Sequence, residues 1–318
     1  MRITLPQWTP KLPAAQTRLR DWLRDFGHDV SLVADEQFAP SGEDLVWFTG
    51  AFNWFPHATR TLRTTPKPER PRTLLWQTEP LPLPKAAGIR LERLSAREVA
   101  KIVLRDPRRS DPRSNAQGIE RLLRDGLPDL LVVSTRERQQ YLAERGIESI
   151  FAPLGYGEYT GRDLGLERDI DVLFLGELEI PRRRRIFRRL RASGVNLVTA
   201  GDWNDPNLFG AGRVELVNRS KILLNIPRHP GLLSGGRMLI GMANKALVIA
   251  EPIYEPEPYR PGVHYVSAEL DAFPEVIARY LADEEARRKI VEAAYEFVTT
   301  ELTMRASVES ILRACFSE

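Results

Sequence analysis

The chain has 318 residues, of which 42% are hydrophobic, 8% aromatic and 28% charged. Those proportions exclude collagen-like, coiled-coil and wholly disordered chains, and the length suits two domains. Lysine and arginine total 46 against 43 acidic residues, a net charge of +3 that is too balanced to make nucleic acid the expected partner.

Short apolar runs alternate with amphipathic stretches along the chain, the pattern of parallel sheets wrapped in helices. Arg2–Leu5 reads as the first strand. Ala14–Phe26 carries Leu19, Trp22, Leu23 and Phe26 at helical spacing, and Gly27 ends it. Val30–Val33, Leu45–Thr49 and Arg72–Gln77 are further strands, the last running into Thr78-Glu79-Pro80 and a proline-rich loop. Helical patterns at Ser95–Leu104 and Asn115–Arg124 are separated by Pro107 and Pro112. A strand at Leu130–Val133, a helix at Thr135–Arg145 and a strand at Ser149–Pro153 complete a first domain, residues 1–155.

Gly155 to Arg168 holds four glycines and several charges without an apolar period, so residues 156–168 are expected to be a linker. A second cycle, residues 169–300, opens with the strand Ile170–Leu175 and a helix at Pro181–Ala192. Strands at Asn196–Ala200 and Ile222–Ile226, a helix at Gly236–Asn244 and a strand at Ala246–Ala250 follow. A short strand at His264–Val266 precedes helical patterns at Phe273–Leu281, Glu284–Phe297 and Met304–Phe316. The last element, in residues 301–318, is a candidate to cross back to the first domain. Two doubly wound halves predict a ligand cleft between them.

Two segments carry anion-binding chemistry. After Ile170–Leu175 come Gly176, then Pro181 and four consecutive arginines, Arg182 to Arg185. A glycine after a buried strand admits a ligand to the backbone, and a helix N-terminus offers free N–H groups to phosphate. Pro181 suits the first helical position and places the arginines in the first turn, where cations oppose the helix dipole by about 0.3–1 kcal/mol each. An anion would offset that cost; a solvated basic face is the plainer reading. The second segment ends a strand in Asn225-Ile226 and continues through Arg228, His229, Gly231, Ser234, Gly235 and Gly236 to Arg237 on a helix's first turn.

Only seven of the 46 cations are lysine, leaving 39 arginines, whose guanidinium forks match phosphate oxygens. No window approaches the roughly 18 apolar residues of a membrane span. The opening Met1-Arg-Ile-Thr-Leu-Pro has no signal-peptide core, and the single cysteine, Cys315, rules out a disulfide framework. A cytoplasmic location is expected, with at most weak, salt-sensitive association with anionic membrane. The four histidines show no metal-ligand spacing, and neither a P-loop nor a dinucleotide fingerprint is present, so no cofactor is expected.

The segment RMLIGMANKALVIAEPIYEPEPYRPGVHYV, from Arg237 to Val266, resembles the donor-binding stretch of group 1 glycosyltransferases with the GT-B fold. It is most similar to the spore-protein-like subgroup, in which an Arg-x-x-Glu-Ala-x-Ala-x-Gly-type helix precedes an apolar strand, a proline-glycine turn and a short strand. Pro261-Gly262 and His264-Tyr265-Val266 match that last part, and the likeness spans about residues 170 to 316. Two positions depart from it: Ile240 stands where the subgroup has a glutamate that holds the donor ribose, and Lys245 where it has a glycine. Glu251, ending the strand, is the candidate substitute.

The resemblance implies two Rossmann-like α/β domains facing across a cleft. It further implies metal-independent transfer of a sugar from a nucleotide-sugar donor to an unidentified acceptor. The donor set is Gly176, Arg182, Arg228, His229, Gly235, Gly236, Arg237 and Glu251. Glu79, at a strand's C-terminal end, and His57, beyond the third strand, are candidate general bases. Asn53, Trp54 and Phe55 form an aromatic tip that would stack on a sugar or simply pack. The alternatives are a non-catalytic nucleotide-sugar-binding or assembly protein on this fold, and a sugar-nucleotide epimerase or hydrolase.

Overall fold

Apolar runs with no polar alternation, such as Leu45-Val46-Trp47-Phe48, form strands covered on both faces, the signature of parallel sheets. The computed structural model describes residues 1–8, 13–89, 99–100, 111–201 and 210–316. The helical pattern at Ser95–Leu104 falls for the most part outside them. The chain divides into two units, Met1–Ala152 with Val308–Glu318, and Pro153–Ser307.

In the first unit, β1 (Arg2–Gln7), β2 (Asp29–Ala34), β3 (Leu45–Thr49), β4 (Arg72–Gln77), β5 (Leu130–Val133) and β6 (Ile150–Phe151) form an all-parallel sheet in the order β2-β1-β3-β4-β5-β6. The helices are α1 (Pro13–Asp25), α2 (Pro56–Thr64), α3 (Pro112–Arg124) and α4 (Arg136–Ala143). One sheet face presents Phe48, Leu75 and Val133 to Ala58 and Leu62 of α2 and to Ile119 and Leu122 of α3. Asp111 caps α3 by accepting from the Ser114 backbone N–H at 3.0 Å, with Pro112 at the first helical position.

The second unit has a parallel sheet of β7 (Ile170–Leu175), β8 (Leu197–Ala200), β9 (Ser220–Asn225), β10 (Leu247–Ala250) and β11 (Val266–Ser267), in the order β11-β10-β9-β7-β8. Its helices are α5 (Pro181–Ala192), α6 (Ala211–Asn218), α7 (Gly235–Ala243), α8 (Phe273–Ala282) and α9 (Glu284–Glu296). A π-turn at Phe297–Glu301 leads to α10 (Met304–Phe316), whose last turns belong to the first unit. There an Arg72 guanidinium donates to the Cys315 carbonyl at 2.8 Å. No helix among the described residues is long and apolar enough to cross a membrane.

The segment read as a linker is held on the second unit instead. Tyr156 exchanges backbone hydrogen bonds with Leu302 and Met304 at 2.7 Å each. The Leu164 N–H donates to Asn218, and Arg168 donates to the Ser220 and Asn244 carbonyls. A Cβ at Gly155 would lie 2.3 Å from the Thr303 carbonyl carbon, so this glycine serves close packing, not flexibility.

Candidate functional site

Parallel sheets place their loops for function beyond the strand C-termini. In the second unit these are the ends of β7, β9 and β10, met by the N-termini of α5 and α7. Gly176 follows β7 with φ of 137°, a backbone conformation that suits glycine, and a Cβ there would press on Arg237 at 3.0 Å. Pro181 begins α5, and Ile186, Phe187 and Leu190 point into the core. Arg182 and Arg183 lie one turn before that apolar stripe and are buried, whereas Arg184 and Arg185 face solvent.

Arg237, on the first turn of α7, is held from three directions. Its Nε donates to the Leu175 carbonyl at 2.9 Å, and its Nη1 to Asn225 Oδ1 at 2.8 Å and Ser234 Oγ at 3.4 Å. Arg183 donates to the Ile226 carbonyl at 3.1 Å and the Glu177 carbonyl at 3.0 Å. Both guanidinium groups sit about 5 Å from the Phe174 ring centroid, on the same aromatic platform. Arg228 pairs with Glu177 at 2.6 Å, and His229 beside it is buried. Nothing stands within 4 Å of a Cβ built at Gly235 or Gly236, so the α7 N-terminus borders open space.

Arg182 and Glu251, both expected to bind donor, are bonded to each other in a buried ion pair. Arg182 also donates to the Pro227 carbonyl at 3.2 Å, anchoring the loop that carries Arg228. Four guanidinium groups, of Arg182, Arg183, Arg228 and Arg237, thus gather near two carboxylates, of Glu177 and Glu251, among the described residues. The strain is electrostatic. Burial lowers Arg183 to a pKa of about 9, with repulsion from Arg237 and Arg228 adding to it, and burial lowers Arg237 to about 10.

Ile240 packs against the apolar group of Leu173, Leu175, Val217 and Leu223. Lys245 adopts a left-handed backbone, φ of 53°, at the position where the resemblance puts glycine. Its ammonium is held by Glu292 at 2.9 Å and Asp163 at 3.3 Å.

In the first unit, Glu79 lies two residues beyond β4, partly exposed, with its carbonyl accepting from Gln77 at 3.0 Å. Arg138, buried on α4, lies within electrostatic reach of Glu79 and Glu137; its own burial lowers its pKa against their pull. His57 sits near the start of α2, exposed, with its backbone N–H on Asp35 Oδ2 at 3.0 Å. Its Nε2 is 3.1 Å from the Phe38 carbonyl, an acceptor only, so the neutral ring carries its proton there and keeps its lone pair on Nδ1. Glu79 and His57 therefore follow different strands, β4 and β3. The aromatic tip packs: Phe55 is fully buried and Trp54 stacks on Trp8 at 4.4 Å. Sequence reasoning left Glu177, Asn225 and Phe174 out of the donor set. Asn225 ending an otherwise apolar strand was the one visible sign.

Residues 182–313, which include α5, α7 and most of this cluster, match a family model described as glycosyl transferase-like. Among curated proteins none matches the chain. Among solved structures it is similar to Alr3699/HepE of Anabaena in complex with UDP-glucose, at a TM-score of 0.59 and 10% identity over 99% of both chains. A glycosyltransferase of Rickettsia africae superposes at 0.59 and 12% identity over 98% of this chain and 97% of that one. TarM of S. aureus, in a complex that includes UDP, superposes at 0.59 and 11% identity over 86% of this chain and 55% of that one. The fold is GT-B. The second Rossmann-like unit carries the arginine cluster, and the first carries Glu79 and His57.

Proposed function

We propose that the protein is a glycosyltransferase that moves a sugar from a nucleoside diphosphate sugar to an acceptor, with the second unit holding the diphosphate. The observation that carries this reading is the gathering of four guanidinium groups at the ends of β7, β9 and β10, beside the open N-terminus of α7. As the bond from sugar to diphosphate breaks, negative charge grows on the leaving phosphate. Preorganised guanidinium groups and helix N–H groups stabilise that charge without a metal ion. Gly176, Gly235 and Gly236 let the phosphates approach the backbone, and Arg183, Arg228 and Arg237 meet them. The pair of Arg182 and Glu251 shapes the loop. Glu79 is the proposed base toward the acceptor hydroxyl, with His57 next. The spore-protein-like pattern of residues 237–266 and the UDP-glucose bound by HepE favour a hexosyl donor.

The test is thermal denaturation with UDP, GDP, dTDP and ADP. At 100 times Kd a binding nucleotide adds about 2.7 kcal/mol of stability. An unchanged melting temperature with all four at millimolar concentration refutes donor binding. Nucleotide release from a panel of nucleotide-sugars only when cell extract supplies acceptor marks transfer; release without extract marks hydrolysis.

A further inference from the structure

Of the two carboxylates described in the arginine cluster, Glu251 is buried on Arg182, whereas Glu177 is partly exposed. Glu177 follows Gly176 at the end of β7, and its Oε2 accepts from Arg228 Nη2 at 2.6 Å. The two side chains are 23% and 44% exposed, so this pair can part without opening the core. The Glu177 backbone is held separately, by Arg183 Nη1 on its carbonyl at 3.0 Å. The loop at this residue thus has a backbone anchor besides its carboxylate.

We propose that Glu177 tunes anion affinity by occupying Arg228 in place of the ligand's phosphate, so that it must be displaced when a diphosphate binds. This rests on the diphosphate reading of the same cluster. An anion at Gly176 brings two or more negative charges beside the Glu177 carboxylate, and like charges in contact are costly. Binding proceeds when Arg228 transfers to the phosphate and Glu177 turns to solvent. That exchange lowers affinity for every anion that engages Arg228, so the site holds the diphosphate product less tightly than a bare arginine cluster would.

The experiment is titration calorimetry of the full chain with inorganic pyrophosphate and UDP, on wild type, Glu177→Gln and Glu179→Gln. Glu179 is 74% exposed and pairs with Arg184 on the surface, so its replacement makes the same charge change two residues away. Glu177→Gln is expected to bind pyrophosphate and UDP about tenfold tighter than wild type. The gain shrinks in high salt, because an exposed pair is screened. Glu179→Gln stays within about twofold of wild type. Damage to the fold lowers affinity, so a gain reports on the exchange itself. Wild type binding UDP with Glu177→Gln no tighter overturns the proposal and leaves the donor site standing. An equal gain in Glu179→Gln also overturns it, by tracing the effect to net charge. Failure of wild type and variant alike to bind UDP or pyrophosphate overturns the diphosphate reading itself.

Discussion

Glu251→Gln removes the carboxylate that meets Arg182 while nearly conserving volume. The side chains of Arg182 and Glu251 are 8% and 4% exposed. Breaking a buried ion pair from one side leaves an uncompensated charge and costs about 3–5 kcal/mol. For a unit of roughly 150 residues each kcal/mol moves the melting temperature by about 2–4 °C, so a fall of roughly 6–20 °C is expected. Arg182→Met combined with Glu251→Leu removes both charges, and such replacements are often neutral or stabilising, so the double variant should recover most of the loss. Arg182→Met alone and Glu251→Leu alone, with this double variant and wild type, form a thermodynamic cycle of four proteins readable by calorimetric melting. UDP affinity of the folded Glu251→Gln variant should change little, since the carboxylate is engaged by Arg182. A Glu251→Gln protein that melts within about 2 °C of wild type but loses UDP affinity would refute this reasoning and restore Glu251 as a ribose ligand.

Other outcomes follow from the same geometry. Glu79→Gln should lower turnover by about 10²–10⁴ with UDP affinity unchanged, and full turnover would pass the role to His57. Arg183→Gln should weaken UDP binding about tenfold or more, whereas Arg184→Gln, at a solvent-facing position, should leave it within about twofold; calorimetry reads both. His264, buried and stacked on Phe297 at 4.1 Å, is lowered to a pKa of about 4 by burial and by Arg260. An unfolded histidine titrates near 6.5, so the unfolded chain takes up the proton first. The stability due to His264 is complete above about pH 6.5 and is lost as pH falls toward 4, by about 3 kcal/mol. In urea melts His264→Gln should show a shallower pH dependence over that range; equal slopes would refute it. Arg184, Arg185, Arg188, Arg189 and Arg191 line the solvent face of α5, so flotation with anionic vesicles should be detectable at low salt and lost near physiological salt.

The strands were legible because parallel sheets are buried on both faces: Leu45–Thr49, Arg72–Gln77, Leu130–Val133 and Ile170–Leu175 stand where the apolar runs place them. Two helices were not. α2, with a threonine-rich sequence and only Ala58, Thr59 and Leu62 buried, carries a short stripe, and α6 spans eight residues of mixed character. The division of the arginines was in principle readable, since Arg182 and Arg183 precede Ile186, Phe187 and Leu190 at helical spacing. Their partners were not. Glu251 lies 69 residues from Arg182, and Thr303 lies 148 from Gly155, distances that no local pattern spans. At Lys245, which departs from the glycine of the resemblance, the sequence offered no sign of the backbone conformation that the residue adopts. The turn is left-handed, and two carboxylates hold the lysine that makes it.

The return of residues 308–318 to the first unit affects how the protein is made. The unit that leaves the ribosome first is completed only after the second unit has been made, because α10 follows that unit in sequence. Until α10 is synthesised, the surface where it docks, including Arg72, lacks its cover. The chain's single thiol sits on that closing helix, buried, and burial pushes it up to about 11. In the finished fold Cys315 is therefore slow to react, and it becomes reactive when α10 lifts away. Pulse labelling of this thiol on nascent, released and denatured chains would time the closing step without any engineered probe.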